Sequence, residues 1–94
     1  MNTNNTNEEY VSEPSNASQC SMILAYLEKG NTITSLEALN KFRCMRLASR
    51  IHDLREKLLE TGSDMVIVSE RIKVGEKYVA RYKMEKNADS VKNI

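Results

Sequence analysis

The fold of this chain is decided by residues 33–60, which read ITSLEALNKFRCMRLASRIHDLREKLLE. Near the start of this stretch, the motif Thr34-Ser35-Leu36-Glu37 has the spacing of a capping box, in which a threonine hydroxyl and a glutamate carboxylate each accept a backbone amide proton. The motif predicts a short helix from Ser35 to Lys41. We expect this helix to bury Leu36, Leu39 and Ala38.

The second half of the stretch predicts a longer helix, from about Met45 to Glu60. Its large apolar residues recur at i, i+4, i+7 and i+11 and therefore share one helical face; they are Leu47, Ile51, Leu54 and Leu58. Gly62 follows and is a typical helix terminator. Because only Phe42-Arg43-Cys44 separates the two helices, the stretch has the form of a helix-turn-helix unit.

The flanking sequence adds a helix before this unit and a hairpin after it. Apolar residues between Ser18 and Lys29 recur at helical spacing. Two β-rich runs, Asp64 to Val74 and Lys77 to Met84, are joined by Gly75-Glu76, which suits a type II′ turn. Ile33 is expected to form a short extra strand beside the hairpin. The predicted fold class is α+β: a winged helix-turn-helix with three helices, a C-terminal β-hairpin as the wing, and a short extra strand.

Composition divides the 94 residues into a tail, one domain and a second tail. Residues 1–16 are rich in Asn and carry three acids and no base. Such a segment buries too little apolar surface to offset the entropy lost on ordering, so we expect disorder there and in residues 87–94. The formal charge of +1 therefore combines an acidic tail with a moderately basic domain, predicted to span residues 17–86.

Several classes of protein are excluded by the same sequence. It contains neither a long apolar run nor a secretory signal, so no membrane partner and a cytoplasmic location are expected. One histidine, no G-x-S-x-G motif and no glycine-rich phosphate loop argue against an enzyme. Cys20 and Cys44, with His52 as the only other soft ligand, are too few for a zinc site. We expect free, buried thiols, no metal and no cofactor.

Three segments resemble the small winged helix-turn-helix domains of bacteriophages, prophages and bacteria: Ile33–Leu39, Arg46–Arg55 and Val79–Tyr82. The resemblance covers roughly residues 20–84 and implies a DNA-binding protein engaged in transcriptional control of the phage or prophage type. Those domains tend to have Gly in the turn before the third helix, where this chain has Arg43-Cys44.

In such a domain the third helix, here about residues 45–60, would read the major groove, and the wing, here about residues 71–77, would contact the DNA backbone. Residues at the start of the second helix would present amides and hydroxyls to a phosphate. The candidate DNA-binding residues are Thr34, Ser35, Arg43, Arg46, Ser49, Arg50, Lys57, Arg71, Lys73 and Lys77.

Each assignment has a structural alternative. The cations of the third helix can form a solvated helix flank, and Arg50 and Arg55 can extend across the edge of the core. The basic hairpin tip can protect an exposed strand edge against aggregation. Strand alternation favours burial of Tyr78 and Tyr82 over a role as base-stacking platforms.

Double-stranded DNA is the predicted partner, with sequence-specific or weak binding expected of a domain that is only moderately basic. The same fold also binds proteins. The alternative function is a protein–protein interaction module, such as a phage-encoded adaptor or inhibitor of a host protein, which the nearly neutral total charge favours. A homodimer formed through Met22 and Tyr26 of the first helix is a further alternative.

Overall fold

A computed structural model describes residues 14–87 of the chain, which form three helices and one antiparallel sheet. In chain order the elements are α1 (Asn16–Glu28), β1 (Ile33–Thr34), α2 (Ser35–Phe42), α3 (Leu47–Glu60), β2 (Met65–Val74) and β3 (Lys77–Lys86). The sheet has the strand order β1-β3-β2. The predicted class and element order are thereby confirmed. Most of the two predicted tails, at residues 1–13 and 88–94, lies outside the described residues.

The helix ends follow from local hydrogen bonds. α1 begins at Asn16, two residues before the predicted start, because the Ser15 hydroxyl accepts the Ser18 amide at 3.1 Å. α2 has both bonds of the predicted capping box: the Glu37 amide donates to Thr34 Oγ1 at 3.3 Å, and the Thr34 amide donates to Glu37 Oε1 at 3.0 Å. α3 begins at Leu47, two residues after the predicted Met45.

The core lies between the three helices and one face of the sheet. It consists of Ile23, Leu27, Ile33, Ala38, Cys44, Leu47, Ile51, Leu54 and Ile67. The predicted stripe of α3 is therefore correct for three of its residues, while Leu58 is half-buried. Cys44 is buried and Cys20 is half-buried, and both are free thiols.

The expected burial of the α2 leucines is wrong. Leu36 is 65% exposed and Leu39 is 44% exposed, whereas Ala38 is fully buried. This helix has only two turns, and it packs on the rest of the domain through the side that carries the small Ala38. Leu36, on another side of this helix, lines an open groove with Ile72, Val74 and Val79 of β2 and β3 and stays exposed.

The two long strands form a hairpin that extends beyond the core. β2 and β3 pair over their full length, from Met65 opposite Lys86 to Val74 opposite Lys77. The turn between them has Gly75 at φ 63°, and Glu76 is not in the positive-φ region, as a type II′ turn requires. β1 adds only the pairs Ile33–Tyr82 and Thr34–Arg81, so the tip of the hairpin projects as a wing.

Side-chain alternation gives the wing two different faces. Ile67 and Tyr82 pack on the core side of the sheet. Continuing from them toward the tip, the same side carries Ser69, Arg71, Lys73, Tyr78 and Ala80, which we call the inner face of the wing. The opposite side, or outer face, carries Glu70, Ile72, Val74, Lys77, Val79, Arg81, Lys83 and Glu85.

Tyr78 is 59% exposed, so the prediction that it is buried is wrong, whereas Tyr82 is half-buried against the core. The alternation itself is correct, since both tyrosines lie on the same face of β3. Tyr78 lacks cover because the hairpin is longer than the core beneath it.

The outer face is held by an ion pair between the two strands. Arg81 Nε donates to Glu70 Oε2 at 2.8 Å, and Lys83 Nζ lies 3.9 Å from Glu70 Oε1. The hydrogen bond from Arg81, together with the charges of Arg81 and Lys83, lowers the pKa of Glu70. The acid and its cations therefore neutralise one another on the side of the wing that faces away from the core.

Candidate nucleic-acid interface

The turn between α2 and α3 is built around Arg43, which has φ 54° and ψ 34°. It is the only non-glycine residue with a left-handed backbone among residues 14–87. Its amide donates to the Leu39 carbonyl at 3.0 Å, and Gln19 Nε2 donates to the Arg43 carbonyl at 3.3 Å. Since Gln19 is buried in α1, this bond anchors the turn and leaves the Arg43 side chain exposed.

The left-handed backbone at Arg43 is a conformation that glycine adopts without a steric penalty. Arginine there costs about 1 kcal/mol. We expect Arg43→Gly to raise the free energy of unfolding by about 1 kcal/mol and, at the same time, to weaken DNA binding.

Urea denaturation and duplex titration of the same preparation measure both effects of Arg43→Gly. Lys41→Gly, within α2, is the matched control, and it should lower the free energy of unfolding by about 1 kcal/mol. A loss of stability in Arg43→Gly would contradict the explanation of the turn.

The N-terminus of α3 is open and surrounded by positive charge. Arg46 occupies the N-cap position and makes no side-chain cap hydrogen bond, and the first turn of α3 contains no acid. Arg43 and Arg46 both have exposed side chains. Because backbone amides and the helix dipole favour anions at this end, the arrangement is electrostatically suited to a negatively charged group.

The exposed front of α3 is polar rather than basic. Ser49, His52 and Glu56 lie on the side of the helix opposite the buried stripe. His52 Nε2 is 3.3 Å from Glu56 Oε2, and both side chains are more than 60% exposed, at 69% and 62%. These groups supply hydrogen-bond donors and acceptors of the kind that read base edges.

Arg50 does not lie on this front. It is 8% exposed, its Nη1 donates to Asn16 Oδ1 at 2.6 Å, and its Nε donates to Asp53 Oδ2 at 3.1 Å. The guanidinium thus joins α3 to the start of α1, as in the core-edge alternative. Lys57 is exposed but lines the groove between α1 and α3, beside Cys20.

Arg55 lies between α3 and the sheet, in agreement with the alternative that it extends across the edge of the core. Its Nε and Nη2 donate to the Ile67 carbonyl at 3.0 and 2.8 Å, and its Cζ lies 5.9 Å from the centroid of the Tyr82 ring. The Ile67 carbonyl is on the open edge of β2, where no strand from residues 14–87 pairs with it. Only the strand register reveals this acceptor, so the sequence carries no signal for it.

The wing carries cations on both faces, but its inner face combines them with an aromatic ring. Arg71 Cζ is 5.2 Å from the centroid of the Tyr78 ring, and Lys73 is directly opposite Tyr78 across the hairpin. By the same alternation, Lys77 lies on the outer face at the tip. Arg71 and Lys73 therefore face the side of the domain on which α3 packs.

The start of α2 is less suited to a phosphate. The Thr34 hydroxyl already accepts the Glu37 amide, and the Glu37 carboxylate occupies the same helix end. A carboxylate there opposes a second anion. Ser35 is exposed beside it.

The rest of residues 14–87 offers little for other chemistry. No group of three or more His, Cys, Asp or Glu side chains in this range is arranged to hold a metal ion. No helix in this part of the chain is long and apolar enough to cross a membrane.

A family model described as a winged helix-turn-helix domain matches residues 18–87. The match covers α1 from its third residue and the other five elements completely. No curated protein and no solved structure matches the chain.

Proposed function

Because the chain belongs to the winged helix-turn-helix domain family, which supports a DNA-binding role in general, we propose that it is a regulator that reads the major groove with α3 and contacts the DNA backbone with its wing. We further propose that it acts in the cytoplasm in transcriptional control of the phage or prophage type, as the sequence resemblance implies. The observation that carries the proposal is that Arg43 and Arg46 are exposed at the open N-terminus of α3, while Arg71 and Lys73 are exposed on the wing.

The contacts divide by chemistry. Arg43 and Arg46, at the open N-terminus of α3, hold phosphates or guanine edges, and Ser49 faces the bases. On the inner face of the wing, Arg71 and Lys73 hold the backbone. Ser35 and Lys77 lie at the margins of this surface. The remaining candidates, Thr34, Arg50 and Lys57, serve a helix cap, the contact between α1 and α3, and the groove beside that contact.

Neutralising the wing tests this assignment. We expect Arg71→Gln with Lys73→Gln to weaken the binding of a fluorescent duplex of about 20 base pairs by about tenfold or more at low salt, because two phosphate contacts are lost. Fluorescence anisotropy measures the affinity.

The matched control removes the same charge elsewhere, by Lys57→Gln with Lys86→Gln. Lys57 faces α1, and Lys86 pairs with Asp64 at 3.2 Å at the base of the hairpin. The control should lose less than about threefold. Equal losses in both double variants would contradict the proposed surface.

The protein-binding alternative is supported by a separate observation. Leu36, Leu39 and Met45 are 65%, 44% and 69% exposed and lie together beside Ser35. Grouped apolar side chains at a surface are typical of protein interaction sites. If the wild-type protein binds no duplex at about 50 mM salt, this alternative replaces the DNA-binding proposal.

The structure gives less support to a homodimer through α1. Met22 and Tyr26 are half-buried, and the Tyr26 ring packs edge-on against Phe42 with a centroid distance of 5.4 Å. Both side chains therefore offer a second copy less apolar surface than the sequence pattern indicates, and a homodimer remains a proposal.

A further inference from the structure

Two arginine–tyrosine pairs follow one another along the core side of β3, and only the second lies on the inner face of the wing. Arg55 lies over Tyr82 near α3, with 5.9 Å between Cζ and the ring centroid, and Arg71 lies over Tyr78 nearer the tip, at 5.2 Å. The two tyrosines are four residues apart on one strand, and thus about 13 Å apart along the sheet. A row of this kind lets successive planar groups contact the same surface.

The pair nearer the tip, Arg71 and Tyr78, is open to a ligand. Tyr78 is 59% exposed, so Arg71 covers only part of its ring. Ala80, which is directly opposite Arg71 in the hairpin, is exposed and has a small side chain that leaves space beside the tyrosine. A planar group can therefore reach the ring without displacing a core residue.

The charge around the ring has one sign. Within the described strands, every acid of the hairpin lies on the outer face: Glu70 in β2 and Glu85 in β3, while Glu76 lies in the turn. The inner face next to Tyr78 carries Arg71 and Lys73 instead. An exposed aromatic ring between two cations and away from carboxylates suits a ligand with a planar group joined to a phosphate.

We infer that the inner face of the wing binds an unpaired nucleotide at the end of a duplex, with the base stacked on Tyr78 and the phosphates at its junction with the duplex held by Arg71 and Lys73. The ligand is single-stranded DNA next to a duplex, because a base within a duplex is already stacked on both faces and cannot lie flat on a side chain. The inference rests on the proposed function, since α3 holds the duplex and brings the unpaired strand to the wing.

The consequence is a preference for DNA with a single-stranded extension. A duplex of about 20 base pairs with an oligothymidine extension of about six nucleotides should bind about tenfold more tightly than the same duplex with flush ends. Tyr78→Ala should remove this preference and leave the affinity for the flush duplex within about twofold. Tyr78→Phe should keep it, because the ring that stacks is retained.

Fluorescence anisotropy with the two labelled DNAs tests the inference in the full-length protein and both variants, and thermal unfolding verifies that the variants fold. Equal affinity of the wild-type protein for the two DNAs would overturn the inference and leave the proposed function standing. Loss of the preference in Tyr78→Phe as well as Tyr78→Ala would also overturn it, because the hydroxyl rather than the ring would then be responsible. Failure to bind the flush duplex would instead count against the proposed function.

Discussion

Raising the salt concentration from about 50 to about 200 mM is expected to weaken the binding of duplex DNA by about 500-fold. Each phosphate that a protein cation neutralises releases counterions, and the logarithm of the affinity falls by about 0.9 per contact for each decade of salt. The proposed surface supplies five exposed cations, and their expected slope is about −4.5; they are Arg43, Arg46, Arg71, Lys73 and Lys77.

Single substitutions show which cations contribute to this slope. Arg46→Gln should reduce the magnitude of the salt slope by about 0.9. If Arg46 contacts a phosphate, binding should weaken equally for all DNA sequences; if it contacts a guanine, the loss should be greatest for sequences with that guanine. Arg50→Gln should leave the slope unchanged, since its guanidinium is already bonded to Asn16 and Asp53. The measurement is an affinity titration at four or more salt concentrations.

Two results would contradict the model of this surface. A slope close to zero would mean that phosphates contribute little and that the apolar side chains of α2 and the turn are the better candidate for the binding site. A reduction of the slope in Arg50→Gln equal to that in Arg46→Gln would mean that the ion pair of Arg50 opens when DNA binds.

The elements of the fold were predictable because their signals are local. The capping box at Thr34 depends on residues three positions apart, and the stripe of α3 depends on a single helical period. The hairpin turn follows from the conformational freedom of Gly75. Each of these patterns determines its own structure with little help from the rest of the chain.

Burial and contacts in the candidate site were less predictable because they depend on what covers each side chain. Leu36 lies in an amphipathic helix, yet it is exposed because the groove between it and the wing stays open. Tyr78 follows the correct alternation, yet the sheet extends past the core. The position of Arg50 in the sequence of α3 fits a contact with the DNA groove. Its guanidinium instead binds Asn16, which lies 34 residues earlier in the chain.

The charge of the site also depends on register. Counting the charges of each segment shows that the hairpin is basic. It does not show that the acids of the hairpin and the cations of the inner face lie on opposite sides of the sheet. The pairing of Glu70 with Arg81, and of Lys73 with Tyr78, makes this separation clear. A shift of one residue in the pairing would move every side chain of one strand to the other face.

Truncation of Leu54 is expected to have the largest effect on stability. Leu54 is 1% exposed in the centre of α3, and Leu54→Ala should lower the free energy of unfolding by about 3 kcal/mol through lost apolar contact and the cavity left behind. A domain of about 70 residues has a total of only about 4 to 10 kcal/mol. The melting temperature should fall by about 15 °C, as measured by circular dichroism.

Leu59→Ala is the matched control, since it makes the same change on the same helix at a side chain that is 81% exposed. It should change the free energy of unfolding by less than about 0.5 kcal/mol. A fall in melting temperature as large as that of Leu54→Ala would place Leu59 in the core and contradict the orientation of α3.

Comparison of Leu54→Ala with Arg46→Gln separates folding from recognition. Leu54 lies on the side of α3 opposite Ser49 and His52, so its truncation leaves the groups proposed to face DNA unchanged. At a temperature where Leu54→Ala is still folded, its affinity for the duplex should remain within about threefold of the wild-type value, whereas Arg46→Gln should lose affinity without losing stability. Opposite responses of these two variants are expected only if α3 contributes one face to the core and the other to the DNA.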